Sequence, residues 1–419
     1  MKHLSLLHYV SLDGAGGVEL QFVEFLHAAQ RIARAEHAVV ACGRDVHRLV
    51  RERLESARVP VAREKYASGM KLPKWPTTLR SARQRMLMQR HQADAVVIWN
   101  RLRDSLNTLA AAGPERCVYW ERGASWFAGE TRAKHEFLSH IQAIVCNSHA
   151  ARRMLELRWG YTGQIQVVPN ALRPSLLPRN PQPRQLRRDA VLHLGVVARL
   201  SPIKGVALAM QAFALLREQG MDVVLHIAGD GPERARLESL AQRLGIARHV
   251  IFEGLIADMG AFYERIGILV HPALREPFGQ IAVEANAYGV PAIVAAVDGL
   301  VEVVAHDDTG LCVAPTLDLS DYEAIGGSRD DLPPFVYDPV RDAIAPPRLV
   351  DPTHLADNVR SLVNDPTRYA RMSTRAIEAV GERFVFDDHV RSALDAINAF
   401  VQYGQLKSDA RSHTHDGQR

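Results

Sequence analysis

The chain has 419 residues, enough for two or three domains of ordinary size. With 47% hydrophobic and 23% charged residues it is globular, which excludes a disordered or collagen-like chain. Aromatic residues, at 6%, are too sparse to favour a stacking platform for single-stranded nucleic acid. The four cysteines, Cys42, Cys117, Cys146 and Cys312, form no C-x-x-C pair, which excludes a disulfide scaffold and a zinc site of the usual spacing and fits a reducing cytosol. The net charge of +4 is unevenly spread: residues 44–103 hold 15 Lys/Arg against 5 Asp/Glu, a local balance of +10 that leaves −6 for the rest. Such asymmetry points to one face that meets an anionic partner: nucleic acid, a membrane surface or a phosphorylated substrate.

In chain order, the apolar start is followed by Asp13 and glycines, so it predicts a first strand over residues 4–10 and not a signal peptide. Helical periodicity follows over 19–35. Short apolar runs at 38–41, 95–99, 117–119 and 143–146 predict further buried strands with helices between them, and this alternation implies a parallel sheet covered on both faces. Within the basic stretch, Lys71, Lys74 and Trp75 precede T-T-L-R-S-A-R-Q-R-M-L-M-Q-R. That run predicts a helix with Leu79, Ala82 and Met86 on one side and Arg80, Arg83 and Arg90 around it. Two readings stand: the apolar stripe packs into the core, or the helix lies on an anionic membrane surface.

Prolines 174, 178, 181 and 183 predict a semi-rigid linker over 172–189. The alternation then resumes with strands at 190–198, 223–228, 250–252, 268–271, 292–295 and 310–313, a second doubly wound α/β unit. The Pro-rich stretch 315–352 does not fit. A loop this long is functional, mobile or a solvated excursion. A helix follows from about Thr353, and the polar tail from Lys407 is expected to fray. No window holds 18 uncharged apolar residues, because the best, 281–297, contains Glu284, Asn286 and Pro291.

Three segments carry chemistry. The first is Glu276-Pro-Phe-Gly-Gln-Ile-Ala-Val-Glu284, in which Gly279 opens a helix whose N-terminus suits a diphosphate. Its two carboxylates are placed for a sugar and a ribose; alternatively Glu276 is a loop acid and Glu284 a structural helix residue. The second is Gly195-Val-Val-Ala-Arg199-Leu-Ser-Pro-Ile-Lys204-Gly205, a strand-loop-helix segment that offers Arg199 as a fork and Lys204 as a point charge to a nucleotide diphosphate. The third is Gly14-Ala-Gly16-Gly17-Val18-Glu19, whose N–H groups suit phosphate. It is not G-x-G-x-x-G, which disfavours an NAD site.

Together the motifs resemble the retaining glycosyltransferases of family 4, group 1, with the GT-B fold. The matching run is G-V-V-A-R-L-S-P-I-K-G, L-H-I-A-G-D-G-P-E-R, F-E-G-L-I, E-P-F-G-Q-I-A-V-E-A, G-V-P-A-I-V-A, and D-G-L-V-E with D-D-T-G-L, in that order across residues 191–313. The first half matches more thinly, through Gly16-Gly17-Val18-Glu19 and Cys146-Asn-Ser148-His149. The resemblance implies two Rossmann-like domains facing across a cleft. Residues 1–183, with a crossover helix at about 385–403, would bind the acceptor, and residues 184–384 the nucleotide-sugar donor. Residues 315–352 would be an insertion and 404–419 a flexible tail.

The resemblance also implies residue roles. Arg199 and Lys204 would bind the diphosphate, Glu276 the transferred sugar and Glu284 the ribose. Phe278, Gly279, Gln280 and Ile281 would add contacts beside the phosphates, and Gly254, Leu255 and Ile256 would lie near the base. Gly16 and Gly17 would close over the phosphates from the other domain. Glu121, Arg122 and His149 would meet the acceptor or sugar, with Arg122 standing where some relatives have histidine. Asn286 replaces a more usual apolar residue, and the Pro-rich insertion is not a general family feature. No metal and no cofactor is implied, because arginine, lysine and helix amides stabilise the leaving phosphate.

The implied function is retaining transfer of a sugar from a nucleotide-diphospho-sugar to a glycan or lipid-linked saccharide. The expected setting is bacterial polysaccharide or lipopolysaccharide synthesis, in the cytoplasm and at the inner face of the membrane, with no nucleic-acid partner. A sugar phosphorylase or nucleotide-sugar epimerase on the same fold, or a noncatalytic nucleotide-sugar-binding protein, is the alternative.

Overall fold

A computed structural model of the chain describes residues 4–14, 16–33, 35–67, 70–73, 78–102, 105–127, 129, 131–187 and 190–406. The chain divides into two compact units: Met1–Ser125 with Gly129–Pro169 and Asp387–Arg419, and Trp126–Ala128 with Asn170–Phe386.

The first unit runs β1 (Ser5–Val10), α1 (Gly17–Ala33), β2 (Glu36–Ala41), α2 (Arg48–Ser56), β3 (Val61–Arg63), the short pair β4 (Tyr66–Ala67) and β5 (Met70–Lys71), α3 (Thr78–His91), β6 (Ala95–Trp99), α4 (Leu106–Ala112), β7 (Cys117–Glu121), α5 (Arg132–His140), β8 (Ala143–Cys146), α6 (His149–Arg153) and β9 (Gln164–Val167). Seven strands form a parallel sheet in the order β3-β2-β1-β6-β7-β8-β9. Strands β6, β7 and β8 are buried along their whole length, as expected of parallel strands covered on both faces. Trp99 and Trp120, on neighbouring strands, stack with centroids 4.3 Å apart, and Phe25 of α1 meets both edge-on.

Helix α3 packs apolar side chains into the core, but by a different face from the one expected. Its buried residues are Gln84, Leu87 and Met88, whereas Leu79 and Met86 of the expected core stripe are about half exposed (48% and 47%). Gln84 turns inward because Thr108 and Glu64 accept from its amide nitrogen. Lys74 and Trp75 lie outside the described residues.

The second unit runs β10 (Leu192–Val197), α7 (Val206–Glu218), β11 (Val223–Ala228), α8 (Arg234–Arg243), β12 (Val250–Gly254), α9 (Met259–Arg265), β13 (Ile268–His271), α10 (Gln280–Ala287), β14 (Ala292–Ala295), α11 (Leu300–Val303) and β15 (Gly310–Val313). Its six strands are parallel in the order β12-β11-β10-β13-β14-β15. The two Rossmann-like units are the α/β class that the alternation predicts. In each, the strand order reverses beside the first strand, and in the second unit the switch lies between β10 and β13. Ligands of doubly wound sheets bind outside the carboxyl ends of strands at such a point.

The unit boundary lies at residues 169/170 and not 183/184. Leu172 and Leu176 are buried in the second core. Arg184 then pins the proline-rich segment by donating to the carbonyls of Tyr263, Glu264, Ile266 and Tyr288. A guanidinium with five donors can hold an extended strand of chain in this way.

The Pro-rich excursion is folded and not a solvated loop. β16 (Pro315–Leu317) pairs with β19 (Leu349–Val350), and β17 (Val336–Asp338) with β18 (Ala343–Ala345), both antiparallel; α12 (Tyr322–Ile325) lies between. Tyr322, Val336, Leu349 and Val350 are buried in the core, and the Tyr322 hydroxyl donates to the Pro202 carbonyl. Helices α13 (Pro352–Asn364), α14 (Pro366–Arg383) and α15 (Phe386–Tyr403) follow. From Asp387 onward α15 belongs to the first unit: Asp387 pairs with Arg31, and the His389 ring bonds the Pro169 carbonyl. Residues 407–419 lie outside the described residues.

Candidate active site

The switch point of the second sheet is built by two loops. The first, between β10 and α7, carries Arg199 and Lys204. It ends at Gly205, whose φ of +66° and approach to the Pro272 carbonyl exclude a side chain: an added Cβ would lie 2.0 Å from that oxygen. The second loop, between β13 and α10, holds Glu276 and ends at Gly279, whose φ is +106°. The Gly279 carbonyl accepts from Ala282 and Val283, so the amides ahead of them belong to the first helical turn, which has no intrahelical acceptors.

The loops meet through charge. Lys204 Nζ lies 2.7 Å from Glu276 Oε2, and His271 Nε2 lies 3.2 Å from the same oxygen. Burial works to raise the Glu276 carboxyl, but the Lys204 ammonium and the His271 hydrogen bond outweigh it and hold the group well below the usual carboxylate range. Burial lowers the His271 pKa, so the ring is neutral near pH 7 and donates from Nε2 to the carboxylate. Arg199 is exposed, and its guanidinium has no ion pair among the described residues.

Glu276 is also fixed through its backbone. Its N–H donates to Asp298 Oδ2 at 2.9 Å, and its carbonyl accepts from Gly299. Asp298 is fully buried, with φ +48°, and its Oδ1 accepts from Trp126 Nε1 at 2.9 Å and the Tyr337 N–H at 2.7 Å. Burial pushes its carboxyl up to about 6, against the pull of the Tyr337, Trp126 and Glu276 hydrogen bonds and of Arg275.

Glu284 lies on α10 and is buried. Its Oε1 accepts from Arg173 at 3.1 Å and its Oε2 from the Tyr263 hydroxyl at 2.9 Å, so the structural role weighed for it is present in the fold. Phe278 is buried edge-on to Phe384, Gln280 donates to the Ala171 carbonyl, and Ile281 is half-buried. Gly254, with φ +67°, accepts from the Gly229 N–H; Leu255 is 84% exposed and Ile256 half-buried.

In the first unit, Gly16 and Gly17 are exposed at the start of α1. Glu121 is not presented to a ligand: it is fully buried, and its oxygens accept from the Tyr119 hydroxyl and the Gly123 and Ser125 N–H groups, which fixes the turn after β7. Arg122 lies over the Trp99 and Trp120 rings at 5.4 and 5.8 Å. Burial lowers it to about 10, so it stays cationic at neutral pH. His149 is exposed in the first turn of α6, behind the Ser148 cap. Among the described residues no three His, Cys, Asp or Glu side chains converge to hold a metal ion.

Two members of this site were missed by sequence reasoning. His271 ends a strand five residues before Glu276, a spacing that signals little by itself. Asp298 stands out in the sequence only as part of D-G-L-V-E; its left-handed backbone and triple acceptance are visible only in the fold.

Residues 182–324 match the sequence profile of the glycosyl transferases of group 1. Over this segment the chain is similar to that family. The matched segment contains Arg199, Lys204, Glu276, Gly279 and Glu284 and all six strands of the second sheet. The chain is 31% identical over 236 residues to a D-inositol 3-phosphate glycosyltransferase of Acidothermus cellulolyticus, covering 52% of this chain and 48% of that one. The first curated relatives are matched over less than half of their length, from 31% to 48%. A glycosyltransferase from Rickettsia africae superposes with a TM-score of 0.75 at 14% identity over 96% of this chain and 100% of that one. Anabaena HepE, solved with UDP and glucose, superposes with a TM-score of 0.68 at 18% identity over 95% and 100%. At these identities the likeness establishes the shared GT-B fold.

Proposed function

We propose that the protein is a glycosyltransferase that takes a nucleotide-diphospho-sugar at the β10–α7 and β13–α10 loops and transfers the sugar, with retention, to a glycan or lipid-linked saccharide. The observation that carries this reading is the Lys204–Glu276 pair at the sheet's switch point, beside the first turn of α10 and the exposed Arg199. An ammonium, a guanidinium and helix amides gather around the place where diphosphate charge develops as the sugar departs. Glu276, held ionised, accepts hydrogen bonds from hydroxyls of the moving sugar. Glu284, on the same helix, accepts from the ribose hydroxyls. Gly16 and Gly17 contribute phosphate contacts, and Arg122 and His149 belong to the acceptor side. No metal or cofactor enters this scheme.

The acceptor reading draws support from α3, whose exposed Leu79 and Met86 share a helix with Arg80, Arg83, Arg85 and Arg90. Apolar side chains ringed by arginines suit an anionic membrane surface carrying a lipid-linked acceptor, at the cytoplasmic face. Among the described residues no helix is long and apolar enough to cross a membrane, so contact would be peripheral. The test is release of nucleoside diphosphate from a panel of UDP-, GDP-, ADP- and dTDP-sugars. Release that requires an acceptor supports transfer; binding without release of any product leaves the noncatalytic alternative standing in its place.

A further inference from the structure

Asp298 ties three parts of the second unit together, and only one of them carries donor chemistry. Its Oδ2 takes the N–H of Glu276, while its Oδ1 takes Trp126 and the N–H of Tyr337, the middle residue of β17 in the folded excursion. The tie is reciprocal on the excursion side, because the Asp298 N–H donates to the Tyr337 carbonyl at 3.0 Å. The neighbouring Gly299 packs against the Pro277 carbonyl, where an added Cβ would lie 2.3 Å away, and its N–H donates to the Glu276 carbonyl. Both backbone groups of Glu276 are therefore held by Asp298-Gly299, and that dipeptide is held by β17. A carboxylate with no water access and a left-handed backbone is costly to maintain. Its three donors are what make it tenable.

We propose that Asp298 is a positioning residue that sets the Glu276 carboxylate for the sugar, and that the 315–350 excursion serves donor-site geometry by anchoring Asp298 through Tyr337. This rests on Glu276 being the carboxylate that meets the transferred sugar. The geometry makes a selective demand. An amide at position 298 can keep its oxygen toward only one side. Facing Trp126 and Tyr337 it satisfies two donors and turns its NH₂ onto the Glu276 N–H; facing Glu276 it opposes two donors. The first orientation wins, so Asp298→Asn releases Glu276 while leaving β17 attached.

The test combines amide hydrogen exchange with kinetics. In Asp298→Asn, exchange at the Glu276 amide rises about 10-fold, as for one lost hydrogen bond, while exchange at the Tyr337 amide is unchanged. Turnover of the sugar nucleotide that the wild type uses falls about 10- to 100-fold, with a small change in KM, because misplacement by an ångström acts on the chemical step. The companion Asp298→Gly suits the left-handed backbone and removes both acceptor oxygens, and with them all three hydrogen bonds, so both amides exchange faster. Unchanged exchange at Glu276 in Asp298→Asn, or equal acceleration at Glu276 and Tyr337 in that variant, overturns the proposal. Unchanged turnover alongside faster Glu276 exchange overturns its catalytic half. Wild-type protein that releases no nucleoside diphosphate from any of the UDP-, GDP-, ADP- and dTDP-sugars overturns the sugar-contact reading of Glu276, and with it the catalytic half, while the exchange measurements still decide the tether.

Discussion

Lys204 and Glu276, 72 residues apart in sequence, meet at 2.7 Å where two loops of the second sheet converge. The pair couples a cation suited to the diphosphate with the acid suited to the sugar. Lys204→Ala therefore does two things: it removes a charge from the leaving group and it frees Glu276. Turnover falls roughly 100-fold or more, in line with the loss of one transition-state contact of about 3 kcal/mol. Arg199→Ala, which breaks no ion pair among the described residues, lowers turnover by a similar factor without moving Glu276. Steady-state kinetics on both variants, with circular dichroism to confirm the fold, checks this.

Glu284 behaves differently because it is buried against a cation. Glu284→Ala leaves the Arg173 charge without its carboxylate in a site where the two side chains are 12% and 5% exposed. Removing one partner of a buried pair costs about 3–5 kcal/mol, so urea unfolding shows a large loss of stability. Glu284→Gln keeps a carbonyl acceptor, loses less stability, and weakens the sugar-free nucleoside diphosphate and the donor by similar factors in calorimetry.

Gly205 tests the backbone of the first loop. Gly205→Ala places a Cβ 2.0 Å from the Pro272 carbonyl at a φ of +66°. Backbone strain alone amounts to about 1–3 kcal/mol, and relief of the clash must shift the Pro272 end of the loop that carries Glu276. Thermal unfolding falls by several degrees, and turnover falls with it.

Asp298 gives activity and stability opposite pH responses. Above its folded pKa of about 6 the carboxylate accepts all three donors; below it the proton competes with the Glu276 N–H on Oδ2. Turnover therefore has an acid limb near pH 6, which Asp298→Asn lacks. The charged neighbours that face this loop are Arg275, which acts on Asp298, and Lys204, which acts on Glu276; the titratable His271 ring, its pKa lowered by burial, also bonds Glu276. Glu276 stays ionised throughout this window because its pKa is depressed. For stability the sign reverses. A raised carboxyl pKa means the folded state binds the proton more tightly than the unfolded one. This group's contribution therefore rises as pH falls from about 6 toward 4, by on the order of 3 kcal/mol at most. Paired pH profiles of kcat and of urea midpoints on wild type and Asp298→Asn separate the two.

Much of the fold is legible from local pattern. Strands such as Ala95–Trp99, Val223–Ala228 and Ile268–His271 are apolar runs interrupted only by His226 and closed by His271, so a buried parallel sheet is the reading they allow. The β10–α7 and β13–α10 loops are legible because Gly205 and Gly279 mark left-handed turns at helix starts. What escaped is what tertiary contact decides. The face of α3 was misread because Gln84 finds buried partners and Leu79 does not need them. The boundary at 183/184 was misread because Leu172 and Leu176 pack into the second core ahead of Arg184, which bonds carbonyls at 263–266 and 288. Glu121 looked like a ligand acid, but its partners are two amides and a hydroxyl within four residues.

The α3 surface has its own expected outcome. Leu79→Ser with Met86→Ser removes exposed apolar groups, and Arg85→Glu with Arg90→Glu reverses two exposed charges. Each pair weakens sedimentation with phosphatidylglycerol vesicles and lowers transfer to a lipid-linked acceptor, while hydrolysis of the donor by water is unchanged. Equal sedimentation of wild type and both variants contradicts the membrane reading.

The most direct measurement of the central claim is nucleoside diphosphate release from a panel of UDP-, GDP-, ADP- and dTDP-sugars by wild type and by Glu276→Gln, with calorimetric affinity for the matching sugar-free diphosphate. The wild type releases nucleoside diphosphate from at least one donor, release falls about 100-fold in Glu276→Gln, and diphosphate affinity stays within about 3-fold of wild type, because the lost charge meets the sugar and not the phosphates. Equal release by the two proteins, or a diphosphate affinity that collapses together with release, would contradict that claim.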